Sequence, residues 1–128
     1  MSEKTLLAFD SLAALERVEG DRELLLELIG LFREQVSPLA QQIGDAAASR
    51  NGPALERSAH SLKGAAANLS ALEVQNLALR LETLGREPDW TEAPAASNAL
   101  NEALVRLNEA LTIFEDEPVT DRPKERQG

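Results

Sequence analysis

The chain has no cysteine and no tyrosine, one tryptophan, three phenylalanines and a single histidine. Without cysteine it can build neither disulfides, thiolate metal sites nor iron–sulfur clusters, and cysteine catalysis is excluded. One histidine cannot supply a multi-histidine zinc centre, so no metal site is expected in this chain. Basic residues are outnumbered: Lys+Arg 13 against Asp+Glu 22 gives a formal charge of −9, with a sequence pI near 4.6. General nucleic-acid binding depends on Lys and Arg neutralising phosphates and is not expected here. No apolar run approaches the roughly 18–20 residues of a membrane span. The opening Met1-Ser2-Glu3-Lys4-Thr5 lacks the basic-then-apolar order of a secretory signal. A cytoplasmic protein with no membrane association is therefore the expectation.

What remains is plain in character. A length of 128 residues suits one domain. Hydrophobic residues make up 43% of the chain, almost all of them Leu and Ala. Leu, Ala, Glu and Arg are strong helix formers, whereas strands favour β-branched and aromatic types, so the fold class is all-α.

Apolar periodicity divides the chain into five helical pieces. A short first element spans Leu6 to Val18, with Asp10-Ser11 as N-cap and Gly20 as stop. Leu12 and Leu15 give it only a narrow stripe, so it should lie over the others as a lid. A long stretch from Asp21 to Arg50 carries Leu24, Leu25, Leu28, Phe32, Val36, Leu39, Ile43 and Ala47 at three- and four-residue steps. Pro38 lies inside and predicts either a kink or two abutting helices. Asn51-Gly52-Pro53 then closes one helix and opens the next.

The third helix, Pro53 to Leu69, has a clean stripe of Leu55, Ala59, Leu62, Ala66 and Leu69. The fourth, Leu72 to Gly85, buries Val74, Leu77, Ala78, Leu81 and Leu84. Residues Glu87 to Ala96 read as a loop in which Trp90 plugs the bundle end. Ser97 caps a last helix with the stripe Leu100, Leu104, Leu107, Leu111 and Phe114. The expected architecture is an antiparallel four-helix bundle with a short additional N-terminal helix, a single domain over residues 1–114. Residues 115–128 hold two prolines, many charges and one apolar residue, Val119, and read as a disordered tail.

On a helical wheel of about 100° per residue, His60 points roughly 140° away from the buried stripe of the third helix. Lys63 and Ala67 share its flank, Gly64 lies just behind, and Glu56 and Arg57 lie one turn before. A glycine in a helix interior costs about 1 kcal/mol against alanine, and packing on this wheel gives no reason for Gly64. Clearing bulk so that another surface can approach the imidazole is one. A hydrolase pairing His60 with Ser61 fails, because neighbouring helical residues diverge by about 100°. A kinase would need a glycine-rich phosphate loop, and the chain has none of either common pattern.

The segment Ala59-His60-Ser61-Leu62-Lys63-Gly64-Ala65-Ala66-Ala67-Asn68-Leu69 resembles the signature of histidine-containing phosphotransfer (HPt) domains. The resemblance covers about residues 9–114, including Phe9-Asp10, Gly20-Asp21, Leu31-Phe32, Leu81-Glu82 and Arg86. One departure is Ser70, where the family usually has a glycine in the turn.

The resemblance implies a phosphorelay intermediate. His60 would accept a phosphoryl group from a receiver-domain aspartyl phosphate and pass it to another receiver aspartate. Lys63 would stabilise the phosphoryl charge, Gly64 and Ala67 would give steric access, and Glu56, Arg57, Asn68 and Arg86 would dock the receiver. No cofactor would be bound by this chain, with divalent magnesium held on the partner. The partners implied are receiver domains of response regulators or a hybrid sensor kinase, with the chain a monomer. Folding the third and fourth helices back about residue 71 sets Glu82 opposite His60, where it can orient the imidazole, and Arg86 opposite Glu56. The competing function is a bundle that docks a signalling partner without being phosphorylated.

Overall fold

The computed structural model describes residues 7–117. Among these the chain forms five α-helices and no strand: α1 (Ser11–Arg17), α2 (Arg22–Ser49), α3 (Gly52–Asn68), α4 (Leu72–Arg86) and α5 (Ala93–Asp116). Three helix starts follow from side-chain caps. Asp10, Asp21 and Asn51 each accept a hydrogen bond from the backbone N–H three residues on, at 3.0–3.1 Å.

The helices close a ring, with α3 against α2 and α4, α4 against α5, and α5 against α2. Cross-helix partners fall in number on one helix as they rise on the other. His60 and Glu56 of α3 meet Glu82 and Arg86 of α4, respectively. The α3 stripe is fully buried, with Leu55, Ala59, Leu62 and Ala66 at 0% exposure. Each such leucine contributes about 1.5–3 kcal/mol of burial, which fixes the rotation of α3 and so the direction in which His60 points. The short α1 sits at the bundle end. The Asp10 N–H donates to Ser70 O, and Phe9 meets Phe114 edge-on at 5.5 Å.

Several expectations shift. The first helix begins at Ser11, and Leu6 lies outside the described residues. Its buried residue is Ala14, while Leu12 is 76% exposed. Pro38 neither splits nor ends α2, which runs through it as one 28-residue helix. In that helix Leu25, Phe32 and Ile43 are buried as expected, while Leu24 is exposed and Ile29 takes a core position. The left-handed stop after α2 is Arg50, and Gly52 instead opens α3.

The loop before α5 is shorter than expected. Asp89 accepts hydrogen bonds from the N–H groups of Thr91 and Glu92, and the helix starts at Ala93 with Pro94 in its first turn. Ser97 is thus inside α5. Trp90 is half-buried against the core. At the other end α5 continues through Glu115, which pairs with Arg33, to Asp116. Residues 118–128 of the tail lie outside the described residues. Ser70 adopts φ 55°, the left-handed conformation that glycine takes without strain. None of the described helices is long and apolar enough to cross a membrane.

Candidate functional site

The middle of α3 and the C-terminal half of α4 form the site. The His60 side chain is 67% exposed. Directly opposite on α4 stands Glu82, which is 5% exposed. A buried carboxylate needs partners, because an isolated charge taken from water is very costly.

Glu82 has three. His60 Nδ1 lies 2.8 Å from Oε2, Lys63 Nζ lies 2.7 Å from Oε1, and Arg86 Nη2 lies 3.4 Å from Oε2. Arg86 is itself held by Glu56, with Nε donating to Oε2 at 3.0 Å. The Lys63 ammonium, and after it the His60 N–H, hold the Glu82 carboxyl below its ordinary value against the opposing effect of burial. An ionised carboxylate only accepts hydrogen bonds, so the proton between His60 and Glu82 sits on Nδ1. In the neutral ring this leaves the lone pair on the other nitrogen, Nε2, of an exposed imidazole.

Around the imidazole the helix surface is low. A Cβ built on Gly64 meets no atom within 4 Å, so nothing inside the protein requires a glycine there. Ala67 is half-buried one turn further on. Arg57 and Asn68 stand apart from the ion cluster. Arg57 lines a polar cleft of about 610 Å³ between α2 and α3, with Gln42, Asp45 and Ser49. Asn68 lines a smaller recess of about 180 Å³ with Leu28, Leu31 and Gln35.

Two features were missed from the sequence. The first is that Lys63 folds down onto Glu82 rather than extending freely into solvent, its side chain being 29% exposed. Hairpin arithmetic placed Glu82 opposite His60, and a lysine one turn along has the reach to share it. The second is the close approach of α3 and α4 at Gly52 and Gly85. A Cβ on Gly85 would lie 2.6 Å from Glu56 N and 2.8 Å from Gly52 O. The signal was there as two glycines facing each other at one end of a Leu- and Ala-rich hairpin.

The site is thus one accessible imidazole on a helical bundle, backed by a buried carboxylate and flanked by a lysine. The family model of the Hpt domain matches residues 27–110, more than half of the chain. The chain belongs to the Hpt-domain family; such domains take part in two-component phosphorelays, are phosphotransfer carriers rather than kinases, and interact with receiver domains. No curated protein and no solved structure matches it significantly.

Proposed function

We propose that the protein is a phosphorelay intermediate in which His60 Nε2 takes the phosphoryl group from a receiver-domain aspartyl phosphate and yields it to another receiver aspartate. The observation that carries the reading is the Nδ1···Glu82 contact at 2.8 Å on an otherwise exposed ring. It fixes the tautomer, so that the nucleophilic lone pair always faces out.

Attack by that lone pair on phosphorus forms the N–P bond as the bond to the aspartyl oxygen breaks, and that oxygen keeps its electron pair. The Nδ1 proton stays on the ring throughout, donated to Glu82. Lys63, on the same flank, supplies positive charge to the incoming phosphoryl oxygens. Gly64 and Ala67 leave room for the receiver's pocket to close over the ring. Glu56, Arg57, Asn68 and Arg86 are placed on the surrounding surface that a receiver would cover. Divalent magnesium belongs to the receiver's acidic pocket in this scheme. The protein works in the cytoplasm as a monomer.

The test is to mix the chain with a receiver domain charged by acetyl phosphate and magnesium. Acid-labile phosphate should appear on wild type and be absent from His60→Gln. A wild-type chain that binds the receiver yet gains no phosphate would make it a docking module instead.

A further inference from the structure

Glu82 has an asymmetric set of partners. Its Oε2 faces two groups, His60 Nδ1 at 2.8 Å and Arg86 Nη2 at 3.4 Å. Its Oε1 is buried, makes no other hydrogen bond, and faces only the Lys63 ammonium at 2.7 Å. Lys63 therefore has two claims on it once a phosphoryl group arrives on the neighbouring imidazole. Its ammonium has three N–H bonds, yet it cannot centre its charge on the phosphoryl oxygens while held 2.7 Å from Oε1. Nor can it leave unless another cation keeps the buried carboxylate charged, because breaking a buried pair leaves an uncompensated ion. Arg86 is the group in position. It stands one helical turn beyond Glu82, is held in place by Glu56 at 3.0 Å, and sits at a long 3.4 Å from Oε2.

We propose that Arg86 is a positioning residue, the standing counter-cation of Glu82 that frees Lys63 to move from the carboxylate to the phosphoryl group. This rests on the phosphoryl-carrier reading above. In the resting protein Lys63 caps Oε1 and Arg86 stands back. As the Nε2–P bond forms, the Lys63 ammonium swings to the phosphoryl oxygens and Arg86 closes on Glu82, which keeps its hydrogen bond from Nδ1. In the return step a receiver carboxylate oxygen attacks phosphorus, the N–P electron pair goes back to Nε2, and Lys63 returns to Oε1. No proton changes place in either direction.

The experiment is a double-mutant cycle on the full chain, using Lys63→Ala, Arg86→Gln and the double variant, with Arg86→Lys as the conservative control. Two phosphoryl donors are used: a receiver domain charged with acetyl phosphate, and phosphoramidate, which needs no docking. In wild type, Lys63→Ala should slow uptake by about tenfold to a hundredfold, and in the Arg86→Gln background by about threefold at most. Arg86→Lys should restore most of the Lys63 effect, with both donors. Losses that simply multiply would overturn the exchange. A defect of Arg86→Gln confined to the receiver would overturn it too, making Arg86 a docking residue, and either result leaves His60 as acceptor. Absence of phosphate on wild type from both donors would remove the exchange and the carrier reading together.

Discussion

Two polar clusters tie helices together across this bundle, and they are built in opposite ways. Between α2 and α5 one cation meets three acceptors. Arg33 donates through Nε to Asn108 at 3.1 Å, through Nη2 to Thr112 at 3.1 Å and through Nη1 to Glu115 at 2.5 Å. Each of the three guanidinium nitrogens is already committed to an acceptor on α5, three of its five N–H bonds in all. Between α3 and α4 the order is reversed, with one buried carboxylate meeting three donors, His60, Lys63 and Arg86. Donors in excess over acceptors, at the edge of an exposed imidazole, suit a place where an anion comes and goes. The first cluster fastens; the second can exchange partners.

The largest effect should come from His60. His60→Gln keeps a polar side chain at an exposed position, so the thermal midpoint should stay within a degree or two. All acid-labile phosphate should vanish, because no second histidine can substitute. Phosphate persisting on the variant would move the chemistry elsewhere.

Next come two glycines that lie on the same pair of helices and do unlike things. Gly64 faces open space, so Gly64→Leu should raise helix stability by about 0.5–1 kcal/mol while blocking receiver approach and transfer. Gly85 faces the backbone of α3, so even Gly85→Ala must push two helices apart, at about 3 kcal/mol. Denaturant melts and transfer rates on the two variants separate access from packing. A Gly64→Leu protein that transfers normally would defeat the steric argument.

How much of this was legible beforehand depends on the range of the signal. The α3 stripe and the exposure of His60 follow from a period of 3.6 on one helix, and they came out as read. The pairing of position 60 with 82 needs one more assumption, a tight turn at 71, and the structure meets it. What periodicity could not reach was set by tertiary packing. Ile29 rather than Leu24 faces the core because the neighbours of α2 decide which of its apolar residues they cover. Pro38 is absorbed because packing outweighs one lost backbone hydrogen bond. α5 starts at Ala93 rather than at Ser97 because Asp89 closes a local turn just ahead of it, whose signal is an aspartate just after a proline. At the site, the burial of Glu82 was invisible on a wheel, since a charged residue gives no apolar signal.

That burial has a pH signature. Lys63 and His60 hold the folded-state Glu82 carboxyl below its ordinary value, so its value is lower folded than unfolded. The contribution is present above the ordinary carboxylate range and is lost as pH falls through the folded value. Thermal melts taken between about pH 7 and pH 3 should show wild type losing more stability on the acid side than Glu82→Gln. Parallel curves would mean that Glu82 titrates alike folded and unfolded. Arg33 and Glu115 should contribute no comparable difference between wild type and Glu82→Gln, because that cluster is the same in both.

The smallest effect tests the comparison most directly. Arg33→Ala removes three hydrogen bonds, yet their acceptors lie at a partly exposed surface where water can replace them. The cost should be about 0.5–1.5 kcal/mol, with phosphoryl uptake and release unchanged. Lys63→Ala is the matched case at the other cluster. It strips the only group facing a buried oxygen, so its cost should reach about 1–3 kcal/mol although one contact is lost rather than three. It should also slow transfer. Raising salt should weaken the Arg33 cluster more than the Lys63 pair, since screening acts mainly on exposed charges. If the two variants cost the same and both leave transfer untouched, the donor-rich cluster is a second fastening and its surplus of cations has no chemical use.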